Sequence, residues 1–202
     1  MKNSSKTVVS LLIGTALMFA TLSANAFLKN SISKIIITGN AKITLVQNDI
    51  ESVEIQESYD ARHTSIKMKG LSLMIDSKEF VPLNITVYAK SPYRIEVSNT
   101  SIVSTVGTFN VPYLQVVLHD KAQANVTTIT KSLYSLINDQ SRLKISGVAT
   151  EHFANYSVDS RLKMDNLVCL NTSKVLTKET LLNAKNILPN KKIIGKKKKM
   201  RT

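Results

Sequence analysis

Asn99, Asp120, Asp139 and Asp159 are the positions whose type and spacing could do chemistry. Asn99 precedes Asp120 by 21 residues, and the next two aspartates follow at steps of 19 and 20. On stacked β-coils of that period the four side chains would lie about 4.8 Å apart. Two carboxylates that close share a proton or hold a Ca²⁺, and stacked acids also serve glycan cleavage. The favoured reading is plainer. Each Asp closes a tight corner by bonding its own backbone, as in an Asx turn. Lys121, Arg142 and Arg161 flank the acids and work against a bound cation. The step from Asp159 to Asn171 is only 12 residues, which ends the series. No catalytic, cofactor or metal role is assigned to any of them.

The remaining reactive residues form no constellation. His63, His119 and His152 share no spacing, so a histidine acid–base or metal site lacks partners. Cys169 is the lone cysteine and reads as a small hydrophobe on a strand. No Gly-x-Ser-x-Gly elbow, Walker loop or dinucleotide fingerprint occurs, and no cofactor is implied. The basic run Lys191, Lys192, Lys196, Lys197, Lys198, Lys199 and Arg201 is a candidate contact for an anionic membrane surface. Without interleaved aromatic residues it lacks a base-stacking surface, which argues against nucleic acid.

Charge is uneven along the 202 residues. The net +13 leaves only 18 basic against 14 acidic residues between Phe27 and Asn190, so the high pI belongs mostly to the tail. Residues 1–26 combine Lys2 and Lys6, an apolar run from Val8 to Leu22, and Ala24-Asn-Ala26. That is the pattern of a secretory signal cleaved after Ala26. The run is short of the roughly 20 residues that span a bilayer. Residues 27–176 then form one domain, and 177–202 a short helix capped by Thr177 followed by the charged tail.

Between these ends the strands that must position the acids are legible. Ile35-Ile-Ile37 and Ile43-Thr-Leu45 flank Thr38-Gly39-Asn40-Ala41, which reads as an antiparallel hairpin. Ser52–Ile55, Ser65–Met68, Leu71–Ile75 and Asn84–Tyr88 alternate with period two, and Lys69-Gly70 is a turn. From Tyr93 a short unit repeats. Leu114–Leu118, Leu133–Ile137 and Phe153–Ser157 each run into an Asp, then into a second short strand from Ala122, Ser141 and Ser160. A period near 20 with two strands and a polar corner per copy predicts a β-solenoid. Its opening residues Leu114, Leu133 and Phe153 are expected to stack in one apolar column.

The order of these pieces, a leading hairpin, Lys69-Gly70-Leu71-Ser-Leu73, Asn84–Tyr88, Pro92–Val97 and then repeats with small-residue corners, resembles the putative auto-transporter adhesin, head GIN domain family over Ser33–Val175. The resemblance implies a secreted bacterial protein built as a right-handed single-stranded parallel β-helix. The family's corners read Ser-Gly-Ala-Ser. Here Asp replaces Gly at His119-Asp120-Lys121-Ala122, Asn138-Asp139-Gln140-Ser141 and Val158-Asp159-Ser160-Arg161, and Asp tolerates left-handed geometry.

The functional expectation is a non-catalytic binding or structural module of the cell envelope, in the periplasm, on the outer surface or outside the cell. It would contact a polysaccharide or partner protein through a solenoid face. The alternative is a glycan lyase or hydrolase on the same scaffold.

Overall fold

The computed structural model describes residues 26–27, 31–55 and 57–177. The expected signal apart from Ala26, the short helix after Thr177 and the basic tail lie outside them.

Strands form wherever apolar and polar residues alternate. In chain order they are β1 (Ala26–Phe27), β2 (Lys34–Gly39), β3 (Ala41–Gln47), β4 (Ser52–Ile55), β5 (Thr64–Lys69), β6 (Ser72–Ser77) and β7 (Leu83–Ala89). Then follow β8 (Arg94–Val97), β9 (Ile102–Val106), β10 (Phe109–Asn110), β11 (Tyr113–Leu118), β12 (Gln123–Ile137), β13 (Arg142–Tyr156) and β14 (Arg161–Leu176). β7 shows the rule most cleanly: Leu83, Ile85, Val87 and Ala89 are buried, while Asn84, Thr86 and Tyr88 between them are only half-buried. One face of each such strand therefore lines a single apolar core that includes Ile35, Ile37, Ile43, Leu45, Ile75 and Phe109.

Among the described residues, all fourteen strands belong to one curled sheet, a half-barrel of mixed strand direction. Its main path runs β1-β4-β7-β3-β9-β12-β11-β8-β2-β6-β5. β12 is the pivot. Its N-terminal residues Gln123–Asn125 pair β9, and its C-terminal residues Ser132–Ile137 pair β11. β13 lies parallel to β12 along almost its whole length, and β14 lies parallel to β13.

The sheet is all-β as expected, but it is not the right-handed single-stranded parallel β-helix that the sequence suggested. β5 and β6 are antiparallel, and so are β4 and β7 and the short β1 against β4. Local turn chemistry explains the reversals. Gly70, at φ 61°, opens a two-residue turn that closes with Lys69 opposite Ser72. Asn48–Glu51 likewise turn the chain back into β4.

The expected N-terminal hairpin is also overturned. β2 and β3 do not pair with each other. β2 lies parallel between β6 and β8, and β3 lies parallel between β7 and β9. Gly39 does take a positive φ of 87°, but it serves a corner that carries the chain on rather than back. A Cβ there would lie 1.9 Å from the carbonyl oxygen of Ser77, so glycine is also required by the close approach of the neighbouring strand.

The repeat register needs a third correction. Leu114 pairs Leu133 as expected, but Leu133 pairs His152, and Phe153 pairs Tyr134. Phe153 therefore points outward, 49 % exposed, and the buried column reads Leu114, Leu133, His152. The step from β12 to β13 is 19 residues throughout. It lengthens to 20 only between β13 and β14, at an irregularity between Lys144 and Ser146 that accommodates Asp165. Because a strand alternates every residue, a slip of one exchanges the two faces.

Candidate functional site

The corners before β9, β12 and β13 share one design. Ala122 donates its N–H to the His119 carbonyl at 3.1 Å, and Ser141 donates to that of Asn138 at 3.2 Å. The second residue of each corner is left-handed: Asn99 at φ 60°, Asp120 at 59° and Asp139 at 55°. Apart from Gly, Asn and Asp enter that region most readily.

Their side chains bond to the neighbouring corner instead of their own backbone. Asn99 Oδ1 accepts the Gly39 N–H at 3.1 Å. Asp120 Oδ2 accepts the Asn99 N–H at 2.9 Å, and Asp139 Oδ2 accepts the Asp120 N–H at 2.9 Å. Each carboxylate thus holds the preceding coil in place. This is charge-assisted hydrogen bonding, stronger than a neutral pair. The inner side of the same corners is lined by small buried residues: Ser101, Ala122 and Ser141.

Asp159 does not join them. The 19-residue step puts Val158 at the fourth position, and Val158 offers no acceptor. The structure thus brings together three of the four candidates and adds Gly39, which the sequence had placed in a hairpin. The exposed carboxylates of Asp120 and Asp139 border a shallow depression of about 440 Å³ that Lys121 also lines. Among the described residues, no three His, Cys, Asp or Glu side chains are grouped so as to hold a metal ion.

The histidines are far apart in role. His63 is half-exposed, 3.9 Å from Asp60 and 4.0 Å from Glu79. In the same loop, hydrogen bonds from Arg62 pull the Asp60 carboxyl down to about 2. His119 faces the Asn138 amide at 3.3 Å. His152 is fully buried, its Nε2 2.7 Å from Ser135 Oγ, and its Nδ1 has no hydrogen-bond partner. Burial first, and Lys174 second, push it down to about 4, so the imidazole is neutral at physiological pH. Cys169 is half-buried against the core.

A second cluster went unrecognised in the sequence as a site. Arg142 pairs Arg161 and Lys144 pairs Lys163 across β13 and β14, and all four side chains are exposed. The signal was present as the tripeptide Arg-Leu-Lys at 142–144 and again 19 residues later at 161–163. The central Leu143 is buried, so each flanking pair must face outward.

Comparison with known proteins gives the same family that the strand order suggested. The family model "Putative auto-transporter adhesin, head GIN domain" matches residues 32–177. Among solved structures, a putative adhesin of Bacteroides fragilis superposes with TM-score 0.61 at 13 % identity, over 75 % of this chain and 76 % of that one. A putative lipid binding protein of Parabacteroides distasonis gives 0.54 at 12 % identity, over 75 % and 77 %. A putative adhesin of the same species gives 0.52 at 15 %, over 75 % and 76 %. At such identities these likenesses establish a shared fold. Among curated proteins no relative matches the chain.

Proposed function

Because this chain belongs to the putative auto-transporter adhesin, head GIN domain family, we propose that it is a non-catalytic binding module of the cell envelope. It is exported, and it contacts a polymer or partner protein through an outer face of the curled sheet. The observation that carries this reading is the corner ladder. A glycan-cleaving centre needs a pair of carboxylates free to move a proton or attack a sugar. Asp120 and Asp139, the acids whose spacing fits that chemistry, each use an oxygen to hold the backbone of the neighbouring corner. Their geometry serves the scaffold. The basic tail, Lys191–Arg201, adds a salt-sensitive attraction to anionic surfaces.

Two measurements test the proposal on the full chain. It should co-sediment with isolated bacterial envelopes. It should also leave acidic and neutral glycans intact, with no new reducing ends and no unsaturated product. Steady release of either product, abolished by Asp139→Asn, would make the protein an enzyme and overturn this reading.

A further inference from the structure

We infer that Arg142, Lys144, Arg161 and Lys163 form a binding site for a linear anionic polysaccharide. The inference rests on the binding-module reading above and names the partner class. Neighbouring strands lie about 4.8 Å apart and alternate residues about 6.6 Å apart along a strand. The four cations therefore occupy a lattice of roughly 5 by 7 Å on one face. Like charges placed directly opposite destabilise a sheet, so this arrangement calls for an anion.

The same sheet shows how such a conflict is otherwise resolved. Lys34 also pairs a cation, Arg94, in register. There Glu96 sits between them, 3.2 Å from Lys34 Nζ and 3.0 Å from Arg94. Burial raises the Glu96 carboxyl, but the two cations outweigh it and hold the group below its ordinary value. Among the described residues, no acid pairs with the Arg142–Arg161 rung. Lys163 alone of the four has an ion-pair partner among the described residues, Asp165 at 3.7 Å, and both ends of that pair are about 70 % exposed. Exposed pairs of this kind contribute little.

The shape and the neighbours select the occupant. The four cations line a depression of about 600 Å³ together with Gln123, Asn125 and the apolar Ile102, Ala124, Leu143 and Leu162. A concave site suits a chain lying across the strands better than it suits a flat bilayer. Guanidinium groups bind carboxylate or sulfate through paired hydrogen bonds. The flanking amides supply donors and acceptors that match sugar hydroxyls. No aromatic residue lines the depression, so bases would find no stacking surface.

Heparin binding by the full chain is the test, measured by titration at several salt concentrations. Neutral dextran, single-stranded DNA and phosphatidylglycerol vesicles serve as competing probes. One variant carries Arg142→Gln, Lys144→Gln, Arg161→Gln and Lys163→Gln. Its control removes the same charge from the tail, with Lys196, Lys197, Lys198 and Lys199 each changed to Gln. The sheet variant should lose roughly tenfold or more in heparin affinity at 0.15 M salt, and its salt slope should fall by about three to four counterions. The tail variant should stay within about threefold of wild type. Asp165→Asn, an exposed change that does not threaten folding, should tighten binding by about threefold and so tests the site even if the quadruple variant fails to fold.

Equal losses in both quadruple variants would overturn the site, as would absence of heparin binding by wild type. DNA or vesicles that bind through the sheet cations as tightly as heparin would overturn the polysaccharide assignment. Envelope co-sedimentation separates the two readings. If it persists while heparin binding is absent, only this inference fails, and if it is absent as well, the binding-module reading fails with it.

Discussion

At the scale of single residues, the corners set the strictest demands. Asp139 holds a left-handed φ of 55° and accepts the Asp120 N–H through one oxygen. Asn keeps the geometry and a neutral acceptor, so Asp139→Asn should lose only the charge assistance, about 1 kcal/mol or less, and calcium should not raise the melting temperature of either protein. Val can neither accept the hydrogen bond nor adopt the geometry without strain. Asp139→Val should therefore cost roughly 1–3 kcal/mol in a urea melt. Gly39 is more demanding still. A side chain there meets the Ser77 backbone at 1.9 Å as well as an unfavourable φ. Gly39→Ala should cost roughly 3–5 kcal/mol, and a wild-type melt for that variant would mean that the corner is not as close as described.

At the scale of the element, β11, β12 and β13 share the column Leu114, Leu133, His152. Leu133 is fully buried between the other two. Its partners lie 19 residues away on either side, so truncation cannot be repaired locally. Leu133→Ala should cost roughly 2–5 kcal/mol. An unchanged urea midpoint would show that the register is wrong. His152 makes the column sensitive to acid. Its folded value, about 4, lies below the ordinary 6.5. Between those values the unfolded chain binds the proton and the folded chain resists it, so stability rises with pH across that window. The contribution is complete above about pH 6.5 and is lost as pH falls towards 4, a difference of about 3 kcal/mol. His152→Leu fills the same core position without a titrating group. Between pH 7 and pH 4 the stability of wild type relative to His152→Leu should fall by about 3 kcal/mol, and parallel curves would contradict the burial of a neutral imidazole.

At the scale of the whole molecule, a single curled sheet joins the regions before and after Tyr93 through β8, β9 and β12. The coil corners form one line of hydrogen bonds from Gly39 to Asp139, and the cations form another face on β13 and β14. The proposed binding surface and the structural ladder are thus separate, which lets the outer face vary without disturbing the corners. If the sequence before Phe27 is a signal, the exported protein should begin at Phe27. Intact-mass measurement of secreted material settles the point, and retention of Met1 would remove the argument for export. The two residues on either side of the expected cleavage, Ala26 and Phe27, pair with Val53 and Ser52 in this structure, so cleavage would leave Phe27 alone of that pair.

The features legible in the chain alone were local. Period-two alternation marked nearly every strand, because facing in or out depends only on the pleat. The left-handed corners at Asp120 and Asp139 were equally legible, because tolerance of positive φ belongs to the residue, but the same expectation failed at Asp159. The family, too, was readable from the order of these pieces. Tertiary structure decided everything that depends on which strand lies beside which. It put β2 between β6 and β8 rather than against β3, and it returned β4 and β5 antiparallel into the same sheet. It kept the 19-residue step through the corner after β13, which put Val158 rather than Asp159 in the ladder and turned Phe153 outward. It then absorbed the extra residue at Asp165, and by aligning two Arg-Leu-Lys segments it made a cationic face from residues that look like ordinary surface charge. The reason is one of range. Alternation is set by neighbours in the chain, whereas register is set by hydrogen bonds to strands about 20 to 60 residues away, and a slip of one residue exchanges the two faces.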